Sequence, residues 1–322
     1  MNLSKRKDKG DHRMLKYLLL VGGFVLLIKG ADMFVDGSSS AAKLLKIPAL
    51  IIGMTIVAMG TSLPETSVSV SAAIAGKNEL AISNVVGSNI FNLMVVCGLC
   101  SVLCPLAIGR ETMLRDFPFS AGIAGLLILL GGAGMKVGHI DGLILLVIFA
   151  VFLYLMVQSA KRARETASEE EYKTMPVWKC LVYIAVGIAA IALGGNMVVN
   201  GASDIARSFG MSENLIGMTI VALGTSLPEL VTSVAAARKN ELDMAVGNVI
   251  GSNIFNILFV LGIASAISPV AYTRENMIDT AVLIIMSAGV YIMALKKREL
   301  RRPNGLAMLT SYAAYAVYIF LR

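Results

Sequence analysis

The sequence predicts an all-α membrane protein, with ten transmembrane helices in two inverted-topology five-helix repeats. Three observations predict it. Of 322 residues, 57% are apolar and only 15% charged, with a mean hydropathy of +0.76, whereas soluble domains carry about 25% charged residues. Ten apolar segments can be marked, each suited to a span of about 20 residues. A long motif occurs twice at one fixed offset, which makes the second half a copy of the first.

The segments run at about 15–42, 48–75, 80–104, 117–135, 141–160, 178–205, 214–237, 242–268, 277–295 and 304–321. They lack the polar alternation of a membrane β-strand, so they are read as helices. The basic stretch Lys5 to Lys16 ahead of the first segment has the look of a secretory signal. The apolar run continues past a signal's length with no A-x-A site, so it is read as the first span. The longest polar stretch, Lys161 to Thr174, divides the chain. The expected organisation is a basic tail 1–14, a first repeat 15–160, a charged linker loop 161–176 and a second repeat 177–322.

The counts exclude several function classes. Four cysteines and two histidines cannot build a disulfide framework or a multi-ligand zinc site. The net charge of +7 sits in loops and tails, where it sets topology and meets lipid headgroups. No soluble basic domain is long enough to bind nucleic acid, and no obligatory protein partner is evident. No HExxH, GxSG paired with His, or GxGD stands in a span, so no enzyme is expected.

The repeat is specific. Residues 53–65 read GMTIVAMGTSLPE and residues 217–229 read GMTIVALGTSLPE, twelve of thirteen positions matching at an offset of 164. The same offset aligns NVVGSNIFN (84–92) with NVIGSNIFN (248–256), Asp36-Gly37 with Asn200-Gly201, and Arg110-Glu111 with Arg274-Glu275. Each unit has five spans, and five is odd, so the second enters the membrane with opposite polarity. Such inverted repeats are typical of secondary transporters.

The second and third segments of each half carry the chemistry. Glu65 is the only charged residue from Ala49 to Gly76, and Glu229 the only one from Asn214 to Ala237. A lone mid-membrane carboxylate costs about 3 kcal/mol on insertion scales. Without Lys or Arg in those spans, the counter-ion is a bound cation or a proton. A structural cap or a protonated interhelical hydrogen bond is the plainer alternative. Pro64 and Pro228 lack an N–H and clash with the carbonyl four residues earlier, at Gly60 and Gly224. A break there is expected to free carbonyls near Ala58, Gly60 and Thr61, and near Ala222, Gly224 and Thr225. Thr61, Ser62, Thr225 and Ser226 add hydroxyls. The facing segments add Ser88 and Asn92, then Ser252 and Asn256, each pair four apart on one helix face. Carboxylates, carbonyls, hydroxyls and amides make a hard-cation site, and Ca2+ takes six to eight oxygens. Two carboxylates balance one Ca2+, two Na+ or two protons. Gly53, Gly60, Gly87 and Gly98, with Gly217, Gly224, Gly251 and Gly262, are expected to permit close approach and sliding of helices.

GTSLPE followed by GSNIFN, twice, resembles the two α-repeats of the sodium/calcium exchangers, within the cation/calcium exchanger superfamily. The match covers roughly 30–110 and 194–275, about half the chain. The resemblance implies a core of the second, third, seventh and eighth helices, past which the first and sixth slide as a gate. It implies Na+/Ca2+ antiport across a plasma membrane by alternating access, with no cofactor. By analogy Glu65 and Glu229 hold Ca2+, aided by the carbonyls of Thr61 and Thr225. Ala58, Ser62, Ser88, Asn92, Ala222, Ser226, Ser252 and Asn256 complete the Na+ sites. The proton-coupled branch carries a GNxxE-like motif where this chain has GTSLPE, which favours Na+. The potassium-dependent branch carries Asp at the place of Asn256, which disfavours K+. A proton- or potassium-coupled exchanger and a cation channel stay as alternatives.

The remaining polar residues have plainer readings. Asp32 and Asp36, with Lys29 nearby, read as a local ion pair or vestibule lining. Cys97 and Cys100 read as packing, His139 as a turn residue, and the charges at 161–171 as a solvated loop. The terminal side holds 11 Lys and Arg and the Lys161 side holds 16, Lys29 left out. The positive-inside rule therefore puts the linker in the cytoplasm and both termini outside. The six basic residues ahead of the first span oppose this assignment.

Overall fold

A computed structural model of the chain describes residues 3–76, 79–165, 174–212 and 216–321. Among the described residues, eight unbroken helices are long and apolar enough to cross a membrane. They are α1 (Lys16–Leu45), α3 (Leu80–Leu103), α4 (Thr112–Gly132), α5 (His139–Glu165), α6 (Val177–Ser208), α8 (Leu242–Ile267), α9 (Arg274–Leu295) and α10 (Arg302–Leu321). Two spans are bent pairs: α2a (Ala49–Thr61) with α2b (Leu63–Ile74), at 49°, and α7a (Thr219–Thr225) with α7b (Leu227–Arg238), at 46°. The alternation of directions defines two membrane faces. The terminal face is where α1 enters and α10 ends. The linker face is where α5 ends and α6 begins.

Several boundaries differ from expectation. The fourth span starts at Thr112, five residues early, and so includes the charged pair Arg115–Asp116. Asp116 is buried and Arg115 Nε donates to its Oδ1 at 2.7 Å, so the charge travels as a pair. The ninth starts at Arg274 because Thr273 caps it, accepting from Asn276 N at 3.3 Å. Helix also runs through both ends of the expected loops. α1 is continuous from Leu3, through most of the basic tail. The α5 helix continues through Glu165, its final turn carrying Arg162 and Arg164, which favour a helix C-terminus. The rest of the linker charges, at 166–173, lie outside the described residues.

Two short ribbons tie the halves together. In the α3–α4 connector, β1 (Leu106–Ala107) pairs antiparallel with β4 (Glu299–Leu300) of the α9–α10 connector, Leu106 opposite Leu300. In the α4–α5 connector, β2 (Lys136–Val137) pairs with β3 (Val270–Ala271) of the α8–α9 connector, Val137 opposite Val270. The repeat offset turns one ribbon into the other, on the opposite face.

The α1 and α6 helices pack antiparallel along a glycine seam. Gly23, Gly30 and Gly37 recur every seven residues on α1, and Gly187, Gly194 and Gly201 on α6. A Cβ at Gly30 would lie 2.9 Å from Ile191 N, and one at Gly194 would lie 2.7 Å from Leu27 N. The two backbones are in contact, as small residues allow between membrane helices. Elsewhere α2a packs on α8 in the same way, where a Cβ at Gly53 would lie 2.6 Å from Met244 O. Broad apolar faces, such as Val177, Trp178 and Leu181 on α6, point outward to lipid.

Candidate ion-binding site

Each bent span breaks at a serine. Ser62 (φ −85°, ψ 13°) and Ser226 (φ −90°, ψ 3°) lie between the arms. Pro64 and Pro228 occupy the first turn of the following arm, where a missing N–H costs no intrahelical bond. The break therefore falls two residues past Gly60 and Gly224. The Ala58 carbonyl is not left bare, because it accepts from Ser62 N at 3.1 Å. Just upstream, Gly53–Val57 and its repeat Gly217–Val221 form π turns, and so do Asn92–Val96 and Asn256–Leu261 in the facing spans. Such turns concentrate at functional sites. Periodicity in the sequence does not reveal them.

The break points each glutamate toward the other repeat. Ser62 Oγ donates to Glu229 Oε1 at 2.8 Å, and Ser226 Oγ to Glu65 Oε1 at 3.2 Å. Ser88 Oγ approaches Glu65 Oε1 at 3.4 Å. Both carboxylates are wholly buried, and the Oε2 of each has no partner. Charged oxygens left bare inside a membrane protein are strongly unfavourable, so a bound cation or a proton would relieve the pair. Among the described residues, no three His, Cys, Asp or Glu side chains gather in a way that could hold a metal ion. A cation here draws most of its oxygens from neutral groups.

The amides divide into two sets. Asn89 Nδ2 donates to Asn253 O at 3.0 Å and Asn253 Nδ2 donates to Asn89 O at 3.3 Å. Each is the other's repeat mate, so the pseudo-two-fold axis passes between them. Asn256 Nδ2 reaches Ser88 Oγ at 3.2 Å and Asn89 Oδ1 at 3.1 Å. Its mate Asn92 is fully buried, with neither amide atom partnered. Ser252 Oγ lies 3.5 Å from Asn248 Oδ1, and Thr225 Oγ1 bonds the Ala222 carbonyl at 3.2 Å. Neither meets a carboxylate. Asn84 and Asn248 escaped the sequence reading. They donate to Ser69 and Ser233 at 3.0 and 2.9 Å and to the Glu65 and Glu229 carbonyls, both at 3.5 Å. Their signal was present: each opens the duplicated NVxGSNIFN run, four residues before Ser88 or Ser252.

The two-fold is broken at the site. A cavity of about 310 Å3 runs from Thr225 and Pro228 along Val221, Gly195 and Asn196 to Pro64, among α2b, α7a and the half of α6 toward the terminal face. The linker-face mates of four of its wall residues, Ala31, Val35, Val57 and Thr61, are fully buried. Ala58 is buried while its mate Ala222 is exposed. A Cβ at Gly251 would meet Met54 Cα at 2.6 Å, yet nothing lies within 4 Å of one at Gly87. Gly87 is therefore no close-approach glycine here.

The other polar residues are placed as follows. Asp32 and Asp36 meet Lys239, not Lys29, at 3.4 and 2.7 Å. All four cysteines are free, and Cys97 and Cys100 are buried in packing. The His139 Nδ1 lies 3.0 Å from Ala266 O.

Comparison with known proteins fits this geometry. The sodium/calcium exchanger protein family model matches residues 15–158 and 179–321. The putative antiporter CaxA of Alkalimonas amylolytica is 40% identical, over 94% of this chain and 98% of that protein. The sodium/calcium exchanger MaX1 of Methanosarcina acetivorans is 31% identical, over 95% of this chain and 99% of that protein. A solved structure of the sodium-calcium exchanger NCX_Mj, soaked with 2.5 mM Na+ and 10 mM Sr2+, has a TM-score of 0.84 and 32% identity, covering 95% of this chain and 99% of that one. A paired carboxylate centre in two inverted repeats, matched along nearly the whole chain, makes this protein a member of the sodium/calcium exchanger family, a multi-pass cation antiporter that needs no cofactor and is not an enzyme.

Proposed function

We propose that the chain exchanges Na+ for Ca2+ by alternating access at the Glu65–Glu229 centre. The observation that carries this reading is the pair of buried carboxylates, each with one bare oxygen and, among the described residues, no Lys or Arg acting on it. One Ca2+ or two Na+ neutralise the pair. Both ions use the same oxygens, so they compete, and competition at one site is what couples their movements. Hydroxyls of Ser62, Ser226 and Ser88 and the amides of Asn92 and Asn256 supply neutral oxygens, with carbonyls at Ala58, Thr61, Ala222 and Thr225. The relative NCX_Mj was soaked with Na+ and with Sr2+, a divalent cation that takes oxygen ligands as Ca2+ does. Asn at both 92 and 256 argues against K+ coupling. The membrane is the plasma (inner) membrane, with the linker loop in the cytoplasm and both termini outside.

The test is Ca2+ uptake into proteoliposomes. Vesicles loaded with Na+ take up radioactive Ca2+ from Na+-free medium, while K+-loaded and acid-loaded vesicles do not. Uptake driven by a proton gradient moves the protein to the proton-coupled branch. Uptake without any counter-ion makes it a channel. Within the same assay, Ser226→Ala removes a hydroxyl donor from Glu65 and weakens apparent Ca2+ affinity about tenfold, the worth of one bond to a charged group. An unchanged affinity would remove Ser226 from the site.

A further inference from the structure

We propose that Lys239 is a positioning residue that holds the linker face shut, pinning α1 to the end of α7b while the terminal face is open. The inference rests on the alternating-access reading and concerns what biases it. Lys239 Nζ sits 2.7 Å from Asp36 Oδ1, 2.9 Å from the Asp32 carbonyl and 3.4 Å from Asp32 Oδ1. Two residues on, Glu241 accepts from Lys43 Nζ at 3.1 Å and from Ser39 Oγ. Asn240 between them is left-handed (φ 62°), a conformation Asn tolerates. One tight turn therefore grips α1 at four side chains.

The inverted repeat supplies an internal control. The mates of Asp32 and Asp36 are Asn196 and Asn200, and the mate of Lys239 is Ala75. The mate of Lys43, Arg207, pairs within its own helix to Asp204 at 2.7 Å. Gly76 (φ 69°) keeps the turn that Asn240 makes, so the backbone is duplicated and the charges are not. The mate of Glu241, Lys77, lies outside the described residues.

The clasp has to open during exchange. Asn196, the mate of Asp32, lines the terminal-face cavity. In an inverted-repeat transporter the opposite state exchanges the conformations of the two halves. Asp32 then lines an open cavity on the linker face, away from Lys239. The glycine seam makes α1 and α6 move together, so the clasp restrains the pair as a unit. With Ala75 at the terminal-face position equivalent to Lys239, the clasp tilts the equilibrium toward the terminal-face-open state.

The experiment bridges the clasp. Asp36→Cys with Lys239→Cys is reconstituted and joined by a bifunctional, reductant-cleavable thiol reagent, the bridge being confirmed by intact mass. Both substitutions are made in a Cys104→Ser background, because the partly buried Cys104 Sγ lies 3.7 Å from Ala237 O, and Asp36→Cys alone and Lys239→Cys alone in that background are the controls. Exchange falls at least about tenfold on bridging and returns with reductant. A bridged protein that exchanges at the unbridged rate overturns the proposal, whereas wild-type vesicles that show no Na+-dependent uptake overturn the exchange reading instead. A second measurement covers a double variant that fails to fold or to bridge. In vesicles of defined orientation, Lys239→Met weakens apparent Ca2+ affinity at the terminal face and tightens it at the linker face, each by about two- to fivefold, because apparent affinity scales with the competent fraction. The charge swap Asp36→Lys with Lys239→Asp reverses both shifts. Equal shifts on both faces, or none, overturn the proposal.

Discussion

Glu65→Gln and Glu229→Gln each abolish Ca2+ transport while leaving the protein folded. Glutamine keeps an Oε1 acceptor for Ser226 or Ser62, so the interhelical bonds at 3.2 and 2.8 Å survive. What is lost is one of two charges facing a divalent ion. Removing one partner of a buried charge pair costs about 3–5 kcal/mol, which is a hundredfold or more in affinity. Purified variants should run as monodisperse as wild type and lose the thermal stabilisation that Ca2+ confers. Near-normal uptake in either variant would displace the site from this centre.

The glycine seam gives the second large effect. Gly30→Leu or Gly194→Leu drives α1 and α6 apart, because even a Cβ at either position would lie within 3 Å of partner backbone. Overpacking a close core costs about 1–3 kcal/mol for a few methylenes, and no flexible neighbour can yield here. We expect a sharp loss of monodisperse protein in detergent and a lowered melting temperature. Gly125→Leu is the matched control, since nothing lies within 4 Å of a Cβ there, and it should behave as wild type. A normal melt for Gly30→Leu would mean that the seam is loose.

The sequence made the repeat, the helices and the paired glutamates readable, because each is a one-dimensional signal. Mid-span charge and a long motif at a fixed offset need no knowledge of packing. What stayed hidden depends on three dimensions. The break was placed at Gly60 from the reach of the Pro64 ring, but the chain ends one helix at Thr61 and uses Pro64 to start the next. The seven-residue spacing of Gly23, Gly30 and Gly37 is one pattern among 30 glycines and becomes a seam only when α6 packs against it. Gly87 was credited with a contact that only its mate Gly251 makes, since two identical motifs sit in different conformations. Lys239 lies 203 residues from Asp36, beyond the range of any local charge pattern, so Lys29 was the nearer candidate.

The ribbons and the crossed serine contacts also set an order in time. Leu106 pairs with Leu300, and Ser226 serves Glu65 across 161 positions. When the first five helices have left the ribosome, β1 has no strand beside it and Glu65 lacks the hydroxyl that will hold it. Membrane helices insert first and associate afterwards. The first half must therefore wait in the bilayer with a half-made centre until the last helices arrive. Contacts of such long range are slow to form, and until they do Glu65 has only the Ser88 hydroxyl of its own half.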